Sequence, residues 1–152
     1  MSDSNSLNQL KPGNLAMSPF GSFMGIVIDS FSEGAARCSV EVQPQHFNAG
    51  GRVHGGLLTS LADTVAGVAV RTLRPEGATS ATTDLNISFI RPPMGDRLEA
   101  DAVVLHKGKR LVRVEVSVFS MLTGDENSRK LVARCNTTFM IVLPQAATES
   151  KP

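Results

Sequence analysis

The sequence predicts an α+β fold in which a largely antiparallel sheet wraps around one long helix. Three observations carry this reading: one apolar helical stretch, period-two alternation before and after it, and short turns joining the last four alternating segments. A ferredoxin-like plait would need a second helix, and the pattern offers no place for one.

Residues 1–19 are rich in Ser, Asn, Gly and Pro without a sustained period, and residues 144–152 look similar. Both ends are expected to be flexible, leaving a domain over 20–143. Within it, Met24, Ile26 and Ile28 suggest a first strand. Ala36, Cys38, Val40 and Val42 then alternate with Arg37, Ser39, Glu41 and Gln43, as a half-buried hairpin partner would. Pro44 to Gly56 carries four glycines and two of the three histidines, and reads as a loop leading straight into a helix. Leu57 to Val70 is the most apolar window; it is too short to cross a membrane and is interrupted by Asp63 and Gly67. After Pro75 and Gly77, strands are expected at about Thr79–Ile90, Leu98–Lys107, Arg110–Ser120 and Lys130–Leu143. Their turns are Pro92 to Gly95, Lys107 to Lys109, and Leu122 to Ser128 with Gly124. Exposed sheet edges would be covered by pairing between subunits.

The 152 residues are 41% hydrophobic with 13 glycines, the composition of a globular domain rather than a disordered chain. Fifteen basic against 14 acidic residues, no Trp or Tyr and no basic block argue against nucleic acid as a partner. The N-terminus lacks the charged start and apolar run of a secretory signal, so a cytoplasmic location is expected, with no membrane association. Cys38 and Cys135 have no metal or redox spacing and read as buried free thiols of a reducing compartment, with a disulfide between them as the alternative.

No GxSxG, HExxH, GxGxxG or GxxxxGK signature is present, and the three histidines lack metal-ligand spacing. The chemistry that remains is concentrated between residues 46 and 70. Between Arg52 and Arg71, Asp63 is the only charged residue, whereas a solvated helix face would carry several. At helical spacing its neighbours Thr59, Ser60, Ala66 and Gly67 are small. Asp63 either faces a ligand or a second subunit, or bonds a nearby backbone N–H or arginine. Gly55 and Gly56 stand where backbone N–H groups lack helical partners and can hold an oxyanion, or they simply make a tight turn. His54 orients that turn, binds substrate or is structural. Asn48 offers its amide to a carbonyl or forms an Asx turn. On the third strand, polar positions 82, 84, 86 and 88 form one face, with Thr82 either holding a water or facing solvent. Arg91, Lys107, Lys109 and Arg110 lie at strand ends, ready for phosphates or simply solvated.

The series Asn48, Gly51, His54-Gly55-Gly56, Leu61-Ala62-Asp63-Thr64, Phe89-Ile90-Arg91-Pro92 and Gly108-Lys109 resembles the PaaI-like acyl-CoA thioesterases of the hotdog-fold superfamily, over about residues 20–143. The resemblance implies a hotdog domain that joins sheets edge to edge as a homodimer, with assembly into a dimer-of-dimers tetramer. Each site would then lie between subunits and hydrolyse an acyl-CoA to carboxylic acid and coenzyme A. It implies Asp63 of one subunit as general base or nucleophile, with Asn48, His54 and Gly55 of the other around the thioester carbonyl. Gly56, Thr64 and Thr82 would contact substrate, and Arg91 with the turn of Lys107, Gly108, Lys109 and Arg110 would meet the coenzyme A phosphates. No metal or organic cofactor is implied, coenzyme A being part of substrate and product. Two other readings stand beside this one: a non-catalytic acyl-CoA binding or sensing module, and a hotdog acyl-thioester hydratase or dehydratase.

Overall fold

A computed structural model describes residues 15–145. A short helix α1 (Pro19–Met24) leads into strands β1 (Ile26–Ser32) and β2 (Ala35–Glu41), followed by a loop with one 3-10 turn (Pro44–His46) and the long helix α2 (Gly55–Arg71). Strands β3 (Thr79–Phe89), β4 (Arg97–Lys107), β5 (Leu111–Leu122) and β6 (Asp125–Val142) complete the domain. The six strands form one sheet in the order β1-β2-β4-β5-β6-β3, and every neighbouring pair is antiparallel. This is the α+β hotdog architecture expected.

The sheet curls around α2 because both surfaces are apolar and only each other can cover them. From α2, Leu57, Leu58, Leu61, Val65 and Val68 are buried. They meet the inward residues of the strands, among them Cys38 and Val40 of β2, Leu98 and Ala100 of β4, alternate valines Val112 to Val118 of β5, and Cys135 and Phe139 of β6. No described helix is long and apolar enough to cross a membrane.

Several boundaries differ from the sequence reading. Helix α1 leaves no periodic signal in the sequence because six residues are too few to show one. Its local signals are present: the Ser18 hydroxyl accepts from the Gly21 N–H at 3.0 Å, Pro19 opens the helix, and Gly25 closes it at φ 78°. The expected turn at Leu122–Ser128 is only two residues long, Thr123 and Gly124, the latter at φ 84°. Residues from Asp125 onward are already strand, but polar and exposed, so no alternation marked them. Residues 1–14 and 146–152 of the terminal segments lie outside the described residues. Nearer the domain, Leu15 and Met17 rest against the core and an Arg71 Nη donates to the Ala16 carbonyl at 3.1 Å.

On the outer face of the sheet a lattice of opposite charges spans four strands. Arg37 binds Asp101 through two hydrogen bonds of 2.6 and 3.0 Å, and Arg129 reaches both Asp101 and Glu99 while stacking over the Phe119 ring. Arg97 bonds Glu99, Asp29 and the hydroxyl of Ser39. Ser39 is thereby fully buried although its place in the alternation assigned it to solvent. Burial pushes the Asp101 carboxyl up, but the hydrogen bonds from Arg37 and Arg129 outweigh it and hold the group below the usual carboxylate range.

Both cysteines are buried free thiols. The disulfide alternative fails on geometry, since β2 and β6 are separated by β4 and β5, about 14 Å at the spacing of strands, well beyond bridging reach. Burial, aided by the charge of Asp29, raises the Cys38 thiol to about 12, and burial with the nearby Asp63 charge raises Cys135 to about 11. A raised thiol stays protonated and unreactive at pH 8. The native protein is therefore expected to resist a thiol-reactive dye at that pH, and the unfolded chain to take up two equivalents. Rapid labelling of the native fold would contradict this packing.

Candidate active site

The loop before α2 is built around Asn48. Its Oδ1 accepts from the N–H groups of Gly50 and Arg52 at 2.9 and 3.1 Å, while its backbone N–H donates to the Arg52 carbonyl at 2.7 Å. Gly51, at φ 76°, supplies the left-handed backbone that closes this turn. Asn48 is thus an Asx-turn residue through its oxygen, and only its amide NH₂ is left to meet a ligand.

His54 is the N-cap of α2. Its Nδ1 accepts from the Gly56 N–H at 2.8 Å, so the proton of the neutral ring sits on Nε2. The Leu57 N–H returns to the His54 carbonyl at 3.0 Å. The two glycine N–H groups are therefore not equivalent: that of Gly56 is used within the cap, and among the described residues no acceptor faces that of Gly55. An unpaired donor at a helix N-terminus is an oxyanion-binding feature. Beside it, the Phe89 ring lies 3.1 Å from where a Cβ on Gly55 would stand.

Asp63 is half-buried on α2 and accepts a hydrogen bond of 2.7 Å from the Thr82 hydroxyl of β3. This contact depends on a feature the alternation concealed. The register of β3 against β6 slips between Thr82, opposite Phe139, and Asp84, opposite Thr138, so Thr83 is an extra residue in the strand. The bulge puts Thr82 on the helix face with Leu85 and Ile87, and leaves Asp84, Asn86 and Ser88 on the other. The single polar face expected over 82, 84, 86 and 88 is therefore divided.

The small-residue stripe around Asp63 is also modified. The hydroxyls of Thr59 and Ser60 bond back to the carbonyls of Gly55 and Gly56, and Ala66 is fully buried, while Thr64 and Gly67 stay half-buried beside the carboxylate. Along α2, Asp63 is eight residues beyond Gly55, a separation of about 12 Å. One chain cannot bring both groups to the same carbonyl.

The cations are similarly divided. The N–H groups of Ile90 and Arg91 donate to Val132, at the Phe89 end of β6, whereas the Arg110 carbonyl accepts from Ile141 near the other end. That is nine residues of strand, on the order of 30 Å, between Arg91 and the turn of Lys107, Gly108, Lys109 and Arg110. Within that turn the Gly108 N–H bonds the Leu111 carbonyl at 2.8 Å, and the three cations are exposed.

Two clefts flank this arrangement. One of about 480 Å³, walled by Phe23, Met24, Phe47, His54, Leu57 and Ser60, opens beside the helix start and is mainly apolar. The other, of about 530 Å³, lies between Arg91, Met94 and the β5–β6 hairpin with Lys130 and Asp125. Asp63 and Gly55 wall neither cleft. The described residues contain no cluster of metal-ligating side chains.

Comparison with known proteins gives consistent results. The family description "Thioesterase superfamily" matches residues 50–121. A putative esterase of Halobacterium salinarum is 40% identical over 102 residues, covering 64% of this chain and 67% of its own. Acyl-coenzyme A thioesterase 13 of Homo sapiens is 32% identical over 110 residues, 72% of this chain and 74% of its own. Among solved structures, a mutant of the phenylacetic acid degradation protein PaaI from Thermus thermophilus is 30% identical, with a TM-score of 0.69 over 81% of this chain and 98% of that one.

Proposed function

Since the chain belongs to the thioesterase superfamily and is a thioester hydrolase of the PaaI-like kind, we propose that a two-chain site built on Asp63 and Gly55 hydrolyses acyl-coenzyme A to a carboxylic acid and coenzyme A. The observation that carries this reading is the Gly55 N–H, unpaired among the described residues, at the start of the helix on which Asp63 lies about 12 Å further on. Two chains related by a two-fold axis, joined along the free edge of β3, lay their α2 helices side by side in opposite directions. The start of one helix then faces the middle of the other. β3 suits this pairing as an 11-residue edge strand with most of its residues exposed.

In the resulting site the thioester carbonyl accepts from the Gly55 N–H of one chain, with the amide of Asn48 and the Nε2–H of His54 nearby. The helix N-terminus favours the negative charge that develops on oxygen, a contribution on the order of 3 kcal/mol for one oriented donor. Asp63 of the other chain delivers oxygen to the carbonyl carbon, either by taking a proton from an attacking water or by attacking directly. Thr82 fixes the carboxylate's orientation in both routes. On either route the C–S bond breaks and coenzyme A leaves as a thiolate that takes a proton from Asp63 or solvent; on the direct route the acyl–Asp63 anhydride is then hydrolysed by water, which releases the carboxylic acid and regenerates the carboxylate. The cleft of Phe23, Met24, Phe47 and Leu57 takes an apolar acyl group. Arg91 of one chain and the turn of Lys107, Lys109 and Arg110 of the other supply positive charge toward the phosphates, since within one chain they stand on the order of 30 Å apart.

The test is thiol release, followed with a thiol-reactive dye, from acetyl-, butyryl-, decanoyl- and phenylacetyl-CoA. Release is expected, fastest with the apolar groups. Binding without release from every substrate would overturn the hydrolase reading and favour an acyl-CoA binding module.

A further inference from the structure

We propose that His46 is a positioning residue that sets acyl selectivity by holding the wall of the apolar cleft in place; this rests on the thioesterase reading above. His46 is 4% exposed and adjoins the same cleft. Both of its ring nitrogens are engaged. Nδ1 accepts from the Gln43 N–H at 2.9 Å, so Nε2 carries the proton and donates to the Met24 carbonyl at 3.0 Å. Its own backbone carbonyl accepts from the His54 N–H at 2.8 Å, one residue before Gly55. One residue thus ties the end of α1 to the loop that carries the oxyanion donor.

The wall needs such a tie because α1 does little to hold itself. It is six residues long, Gly21 is its only buried residue, and it ends at Gly25 in the left-handed conformation. Phe23, which lines the cleft, is 83% exposed. The bond from Nε2 to the Met24 carbonyl is the side-chain hydrogen bond, among the described residues, that joins this wall to the loop of the site. Its loss lets the exposed Phe23 shift, with Met24 then held only by its packing against the core, and changes the width of the cleft. The backbone bond from His54 to residue 46 does not depend on the imidazole, so the carbonyl-polarising end is retained.

Two conservative variants separate the two ring contacts. His46→Gln places an amide N–H near the position of Nε2 and keeps the link to Met24. His46→Asn places an oxygen near Nδ1, keeps the Gln43 contact and cannot reach Met24. The readout is kcat/KM for phenylacetyl-CoA relative to butyryl-CoA. We expect His46→Asn to lower this ratio by about tenfold with kcat little altered, because the larger acyl group loses its contact with the wall, and His46→Gln to stay near wild type, since fit in an apolar pocket is worth about this much. Should either variant fail to fold, Phe23→Ala at its exposed position tests the same wall and is expected to shift the ratio in the same direction. An unchanged ratio in folded His46→Asn, equal shifts in both histidine variants, or an unchanged ratio in Phe23→Ala would overturn the proposal. Wild-type protein that releases no coenzyme A from any of the four acyl-CoAs would instead overturn the thioesterase reading, and this proposal with it.

Discussion

Asp63→Asn is expected to lower kcat by about 10³-fold, within the range attributed to a general acid or base, while KM changes little. The substitution conserves shape, and an amide oxygen still accepts from the Thr82 hydroxyl. It removes the negative charge, so the residue can neither take a proton from water nor attack a carbonyl. Asp63 is only half-buried and forms no ion pair among the described residues, so folding and assembly should be unaffected. Steady-state kinetics together with a melting curve would check this. A folded variant retaining a third or more of wild-type kcat would remove Asp63 from the chemistry. In the wild type, label from ¹⁸O-water appearing in Asp63 itself after a single turnover, rather than only in the product acid, excludes the pure general-base route.

The second large effect concerns the other half of the site. Gly55→Pro deletes the one N–H proposed to polarise the carbonyl, at the position where a helix best tolerates proline. The preceding residue, His54, already has φ −67° and ψ 133°, the extended conformation that proline requires before it. The added ring carbons press on Phe89, whose side chain is 55% exposed and free to shift. A loss of about 10² to 10³ in kcat is expected, with helix content by circular dichroism unchanged. Co-expression of Asp63→Asn with Gly55→Pro then tests the shared site. Random pairing makes half of the dimers mixed, and each mixed dimer has one of its two sites intact, so roughly a quarter of wild-type activity should return. Absence of any recovery, with mixed dimers demonstrated, would place Asp63 and Gly55 in separate sites.

Much of the fold was legible because it is written in local periods. The long apolar run of α2 and the alternating valines Val112 to Val118 each need only their own residues to declare a helix and a buried strand face. Asp63 and the Gly55–Gly56 pair stood out for the same reason, as a lone charge in an apolar helix and glycines at its start. Features without a local period were hidden. α1 was too short, and the polar start of β6 shows no alternation because its side chains remain in solvent. The burial of Ser39 follows from Arg97 and Asp29, which lie on other strands.

The sequence by itself determined the fold class, the helix that forms the core and the candidate groups for the proposed site, since these follow from hydrophobic pattern and residue type. Tertiary structure decided how those groups are arranged. The extra residue in β3 that turns Thr82 toward Asp63 exists only relative to the register of β6. The inequality of the Gly55 and Gly56 donors depends on the rotamer of His54, and the role of His46 on a contact with Met24. Pairing register and contacts between distant segments are set by how whole elements pack, so no window of sequence contains them.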